Sequence, residues 1–132
     1  MCRKDGATHT IIAARNRGRA QGTASVGEAE VVSLEPGALS EAVRAADLII
    51  NAVPTDLDMD PSWFSNHQTV YDTRYDVADT MLMQNARERG ARTANGIDML
   101  LFQGAASFEL WTGHEAPLEA MRTALEDGLE NR

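Results

Sequence analysis

Short segments rich in β-branched and apolar residues alternate along this chain with segments that carry a helical pattern. The strand-like segments are residues 8–14, 30–34, 47–52, 69–72 and 92–95. Helical patterns cover residues 38–46, 79–89, 96–111 and 117–129. Because strands that are separated by helices pair in parallel, the alternation predicts an α/β fold with a doubly wound parallel sheet.

Composition limits the classes of protein to which the chain can belong. The 132 residues are 43% hydrophobic and carry a net charge of −8, which suits a globular domain and argues against a nucleic-acid partner. No apolar run approaches the ~18 residues of a transmembrane helix, and the charged start does not resemble a signal peptide. We therefore expect a cytoplasmic protein without a membrane partner. The only cysteine, Cys2, leaves no intramolecular disulfide, and we expect no bound metal.

Two arginines follow the first predicted strand. Where the second strand of a dinucleotide-binding fold ends, an acid binds the ribose 2′-hydroxyl of NAD, whereas an arginine accommodates the 2′-phosphate of NADP. No acid follows this strand, and Arg15 and Arg19 lie just beyond its end. Guanidinium groups match two phosphate oxygens at once, so the pattern favours NADP over NAD. A solvated basic loop is the alternative interpretation.

Three further polar residues lie where a ligand could contact them. Asn51 ends the strand at 47–52 and precedes Pro54, so it either holds the backbone near a ligand or is a turn asparagine. Tyr75 follows the strand at 69–72 and either bonds a polar substrate or is a half-buried core residue. Gln103 lies among apolar neighbours, where its amide needs partners. A polyhydroxylated ligand or a satisfied core site would supply them.

A long motif then connects these residues to a known family. Residues 95–113 read NGIDMLLFQGAASFELWTG, which resembles the C-terminal signature of shikimate dehydrogenases, NGxxMLxxQ(G/A)AxxFxxWTG. Upstream, DTRY at 72–75 followed by Thr80 resembles the family's DxxYNPxxTP, and NAVP at 51–54 resembles NATP. The segment ARNRGRA at 14–20 resembles NRTxxRA.

The resemblance implies a fold, an activity and a set of roles. It implies a Rossmann domain and the NADPH-dependent reduction of 3-dehydroshikimate to shikimate in aromatic amino-acid synthesis. Contacts with NADP are implied for seven residues, of which the first three hold the adenosine phosphate: Arg15, Asn16, Arg19, Asn51, Thr73, Gly96 and Met99. Contacts with the small-molecule substrate, shikimate or 3-dehydroshikimate, are implied for Tyr75 and Gln103.

The chain departs from the family pattern at several positions. Ala14 and Asn16 replace Asn and Thr in the phosphate motif, and Val53 replaces the Thr of NATP. A longer acidic loop at 55–59 replaces the usual Leu-Gly-Met. Asp76-Val77 and Met81 replace Asn-Pro and the Pro after Thr80.

Parts of the family pattern find no match in the chain. Nothing matches the N-terminal domain, with its catalytic Lys and Asp, or the Gly-rich phosphate loop, and residues 1–6 would end the helix that follows this loop. We therefore predict a fragment without catalytic residues, inactive alone, in which 1–113 form a partial Rossmann domain and 114–132 a C-terminal helix packed on it. The alternatives are a quinate/shikimate dehydrogenase of broader range and a non-catalytic remnant or binding module.

The missing first strand has a consequence for folding. In the common strand order 3-2-1-4-5-6, that strand lies between the two that correspond here to residues 8–14 and 47–52. Without it, both strands have an open edge. We expect a loose monomer, self-association through the open edges, or direct pairing of these two strands.

Overall fold

The structure is a computed structural model that describes residues 6–130. Of the predicted helix end at 1–6, residues 1–5 lie outside the described part. The strands are β1 (Ile11–Ala14), β2 (Glu30–Ser33), β3 (Leu48–Asn51), β4 (Thr69–Asp72) and β5 (Arg92–Ala94). The helices are α1 (Arg17–Gly27), α2 (Pro36–Ala45), α3 (Met81–Glu88), α4 (Ile97–Thr112) and α5 (Leu118–Glu130), with a 3₁₀ turn at Pro61–Trp63.

All strand pairs are parallel, which confirms the predicted α/β class. Within the described part of the chain, β1 pairs with β2 in one sheet and β3, β4 and β5 follow in that order in a second. These are the neighbours that strands 2-3 and 4-5-6 have in the common order. The strands predicted at 8–14 and 47–52 form β1 of the first sheet and β3 of the second. The three outcomes expected for their edges stay predictions.

The chain divides into two compact units, Met1–Ala46 and Asp47–Arg132. In the first unit, α1 and α2 pack on the two-stranded sheet and bury Ala24 and Val43. Sequence patterns did not predict α1, because its buried residues are only Ala20 and Ala24 and its one larger apolar residue, Val26, is exposed. The predicted division at residue 113 stays a prediction.

The second unit has its core between the sheet and α3. Val70 of β4 and Ala86 of α3 are fully buried, and Leu82 is 1% exposed. The helices α4 and α5 pack closely, since a methyl group at Gly104 would lie 3.2 Å from Met121 Cε. Across residues 6–130, no helix combines the length and apolarity that a bilayer crossing requires.

Candidate functional site

The carboxyl-terminal ends of β3, β4 and β5 lie side by side in the second unit, where parallel sheets bind ligands. Asn51 ends β3, Thr73 follows β4, and Gly96 comes two residues after β5. The amide N–H of Thr73 donates to the carbonyl of Asn51 over 2.9 Å, which extends the β3–β4 ladder by one step. The structure therefore brings three predicted cofactor residues to one edge of the sheet.

A buried carboxylate organises this edge. Asp72 is fully buried and accepts hydrogen bonds from Asn51 Nδ2 at 3.0 Å and from Thr80 Oγ1 at 2.8 Å. A third bond, from the backbone N–H of Arg74, is 3.1 Å long. Three donors replace the water that a carboxylate loses on burial. Sequence reasoning gave Asp72 no role, because an aspartate at a strand end does not reveal its partners.

This network fixes the orientation of Asn51. With Nδ2 donating to Asp72, Oδ1 accepts from the N–H of Val53 at 3.0 Å and shapes the start of the following loop. Only 4% of Asn51 is exposed. The side chain is thus engaged within the protein, and its predicted contact with a cofactor stays a prediction.

Gly96 lies where two backbone segments meet. Its N–H donates to the carbonyl of Arg74 over 2.8 Å, and a methyl group at this position would overlap the carbonyl oxygen of Thr73. The φ of Gly96 is −82°, which any residue adopts, so the requirement for glycine is steric. The start of α4 is thereby held against the loop after β4.

Tyr75 is exposed beside a small apolar cleft. It is 48% exposed, and its predicted contact with a substrate stays a prediction. Its ring lines a cleft of about 250 Å³ together with Ile97 and Leu100 of α4 and with residues of α5, namely Ala124, Leu125, Gly128 and Leu129. The Tyr75 side chain therefore lies near the carboxyl-terminal ends of the strands and is accessible from solvent.

Gln103 and Met99 lie one turn apart on the exposed face of α4. Met99 is 43% exposed and Gln103 is also exposed, whereas Leu101 and Ala105 form the buried face of the same helix. The alternative of a satisfied core glutamine is therefore wrong. Gly96, Met99 and Gln103 follow one another over the first two turns of this helix, but their ligand contacts stay predictions.

Two arginines, Arg15 and Arg19, and the neutral Asn16 lie together at the N-terminus of α1, in the first unit. Asn16 is the N-cap, and its side-chain oxygen accepts from the N–H of Arg19 at 3.0 Å. All three side chains are exposed, and the first turn of α1 contains no acid. The positive end of the helix dipole and two guanidinium groups make this terminus suitable for a phosphate.

Acidic and basic side chains are paired around the loop after β4. The Arg74 guanidinium donates to both carboxylate oxygens of Asp76 and to Asp56. Hydrogen bonding to Asp76 raises the pKa of Arg74 above its already high ordinary value, against the effect of burial. The guanidinium is thus charged throughout the range in which proteins are handled.

Parallel strands, crossover helices and polar groups at the carboxyl-terminal strand ends define the class of Rossmann-like α/β domains. Within that class, the family described as the Shikimate 5′-dehydrogenase C-terminal domain matches residues 96–126. The shikimate dehydrogenase (NADP(+)) of Moorella thermoacetica is 39% identical and covers 75% of this chain, which spans 36% of that relative. The one from Methanocella arvoryzae is 38% identical over 96% of this chain and 49% of the relative.

Solved structures of a quinate dehydrogenase and a shikimate 5-dehydrogenase also match the chain. A quinate dehydrogenase from Corynebacterium glutamicum in complex with NAD matches with a TM-score of 0.80 and 27% identity, over 94% of this chain and 48% of that one. The shikimate 5-dehydrogenase from Thermus thermophilus, in complex with NADP(H) and shikimate, matches with a TM-score of 0.77 and 25% identity. It covers 95% of this chain, and this chain covers 48% of it.

The chain therefore matches the C-terminal part of the shikimate dehydrogenase family, which confirms the resemblance seen in residues 95–113. It spans about half the length, or less, of the curated relatives that it matches.

Proposed function

We propose that this chain provides the NADP-binding part of a shikimate dehydrogenase, which reduces 3-dehydroshikimate to shikimate. The observation that carries the proposal is the motif at 95–113, which the family match at 96–126 covers in large part. NADPH, when bound, supplies the hydride that is added to the substrate carbonyl carbon. The substrate is a small molecule, and the cytoplasm is the expected compartment.

The roles of the residues follow the geometry of each unit. Arg15, Asn16 and Arg19 would hold the adenosine phosphate at the N-terminus of α1, where their side chains are exposed and no acid opposes a phosphate. On the nicotinamide side we place four residues, of which the first contacts the cofactor through its backbone: Asn51, Thr73, Gly96 and Met99. Tyr75 and Gln103, both exposed, would contact the hydroxyl groups of the substrate.

A nucleotide fragment tests the adenosine-phosphate site without the rest of the cofactor. We expect adenosine 2′,5′-bisphosphate to bind more tightly than AMP in calorimetric titrations. Arg15→Ala should weaken the bisphosphate by on the order of tenfold and leave AMP unchanged, which is the scale of one charge-assisted hydrogen bond at an exposed site.

The matched control is Arg44→Ala, which removes an exposed arginine from the last turn of α2 in the same unit. It should change neither titration. Equal binding of the two nucleotides to the unmodified chain would contradict the NADP assignment. Preference for AMP would favour an NAD-dependent relative such as the structurally similar quinate dehydrogenase.

We also propose that the 132 residues alone do not turn over substrate. No residue matches the Lys and Asp to which the resemblance assigns catalysis, and a positioned proton-transfer group contributes about 10²–10⁴-fold in rate. With NADPH and 3-dehydroshikimate, the purified chain should consume no cofactor above the background rate. Turnover comparable with that of a full-length relative would contradict this, whereas nucleotide binding without turnover also fits a binding module.

A further inference from the structure

Arg74 forms hydrogen bonds to several separate segments of the second unit. Its backbone N–H donates to the buried Asp72 at the end of β4. Its carbonyl accepts from the N–H of Gly96 at the start of α4, over 2.8 Å. The backbone of this residue therefore joins the segments that follow β4 and β5.

The side chain of Arg74 adds two more connections. Nε and Nη2 donate to the two carboxylate oxygens of Asp76, over 3.0 and 2.8 Å, and form a bidentate fork. Nη1 donates to Asp56 in the acidic loop after β3, over 2.5 Å. The Arg74 side chain is only 11% exposed, whereas the carboxylates of Asp56 and Asp76 are 66% and 46% exposed. The guanidinium is the inner partner of both pairs.

The fork to Asp76 closes around Tyr75. Residues 74 and 76 are tied through their side chains, so the backbone of the residue between them loses freedom to rotate. The ring of Tyr75 then projects outward at the cleft beside α4 and α5. The two hydrogen bonds between Arg74 and Asp76 therefore restrain the backbone on both sides of Tyr75.

The arm to Asp56 fixes the middle of the loop that follows β3. The start of this loop is held by Asn51, which accepts from Val53, and its end by Asn85 Nδ2, which donates to the carbonyl of Met59 over 2.8 Å. Between these anchors, Asp56 connects the loop to the segment that carries Thr73 and Tyr75. Loss of this pair would release the loop centre but not its two ends.

Two residues of this arrangement stand where the chain departs from the family pattern: Asp76 replaces an Asn, and Asp56 lies in the longer acidic loop. Arg74 occupies a position of DxxY that the pattern leaves unspecified. The family pattern therefore does not specify this arrangement.

We propose that Arg74 is a positioning residue of the substrate site. Through Asp76 it sets the direction of the Tyr75 ring, and through Asp56 it holds the acidic loop beside that ring. The loop and the ring together then determine which ring substituents of a substrate fit. The assignment of this site to a substrate rests on the function proposed above, whereas the positioning of Tyr75 and of the loop does not.

Fluorine labelling gives a readout that is independent of any ligand. The chain contains two tyrosines, so 3-fluorotyrosine gives two resonances, and Tyr75→Phe assigns them. In Arg74→Gln, the Tyr75 resonance should shift and broaden while that of Tyr71, in β4, stays unchanged. The backbone of residues 55–58 should become more mobile in ¹⁵N relaxation measurements, whereas amide exchange of the fully buried Val70 should change less than about twofold.

Two single-arm variants separate the two connections and remain available if Arg74→Gln does not fold. Asp76→Asn should alter the Tyr75 resonance, and Asp56→Asn should increase the mobility of the loop only. The matched control is Arg87→Gln, which removes the contacts of a part-exposed arginine of α3 with Asp79 and Thr93 and should affect neither readout.

An unchanged Tyr75 resonance with unchanged loop mobility would overturn the proposal. Faster amide exchange at Val70 would also overturn it, since that result shows general destabilisation. If the nucleotide titrations fail while these local effects appear, the proposed function is wrong and the positioning role stands. High salt should reproduce part of the Asp56→Asn effect, because exposed carboxylates are screened.

Discussion

At the scale of single residues, Gly96 has the strictest requirement in the second unit. The carbonyl of Thr73 occupies the space that a side chain would need, and the carbonyl of Arg74 would lie 3.0 Å from the added carbon. Both contacts are with backbone, which cannot move away as a flexible side chain can. The close approach also places the start of α4, with Met99 and Gln103, beside the segment that carries Tyr75.

We predict that Gly96→Ala lowers the free energy of unfolding of the second unit by about 1–3 kcal/mol, the usual cost of forcing an extra carbon into a packed site. Gly128→Ala on α5 is the matched control, because no atom lies near the added carbon there, and it should give a gain of about 0.5 kcal/mol. Denaturant titration monitored by Trp63 and Trp111, both in this unit, measures the two changes. Equally small changes in the unfolding free energy of the two variants would show that the segments at Gly96 and Thr73 move apart at little cost.

The sequence predicted several residues of the site but not their partners. Arg15, Tyr75 and Gln103 were identified because their types fit a ligand, and all three are exposed as a contact residue must be. The role of Asp72 was missed, since three donors converge on it from segments 51–80 only after folding. Local patterns contain the chemistry of a side chain, whereas long-range hydrogen bonds depend on the strand register.

At the scale of elements, one hydroxyl group at the start of α3 bonds both the helix backbone and the end of β4. Thr80 caps the helix by accepting from the N–H of Met83 at 3.4 Å, and it donates to Asp72 at 2.8 Å. The helical pattern at residues 79–89 predicted this helix, which spans Met81–Glu88. By contrast, α1 was not predicted, since helices without an apolar stripe give no periodic signal.

Replacing this hydroxyl by a methyl group tests both contacts. Thr80→Val keeps the shape but removes the cap and leaves one oxygen of the buried Asp72 without its donor, so we predict a loss of about 2–3 kcal/mol in the stability of the second unit. Thr80→Ser keeps the hydroxyl and should lose about 1 kcal/mol for the missing methyl group. Similar losses for the two variants in denaturant titrations would indicate that methyl packing, not the hydroxyl, holds the helix start.

At the scale of the whole molecule, the sheets combine parallel pairing with open edges. Among the described strands, β1 has a hydrogen-bonded neighbour only in β2, and β3 has one only in β4. On one face of β3, Leu48 and Ile50 are 52% and 50% exposed. Open edges with exposed apolar side chains promote pairing with other chains. The edges therefore favour self-association, which is one of the three expected outcomes.

We predict that the purified 132-residue chain self-associates in a concentration-dependent manner through the edge of β3. Ile50→Lys should weaken this association by about tenfold in sedimentation experiments, because a charge at an apolar contact must lose its hydration. The control Val26→Lys changes a residue that is 90% exposed on α1 and should have no effect. Higher salt should strengthen the association, since it screens repulsion between chains of net charge −8. A monomer at every concentration, with slow amide exchange in both β1 and β3, would show that the edges are stable by themselves and would contradict the prediction.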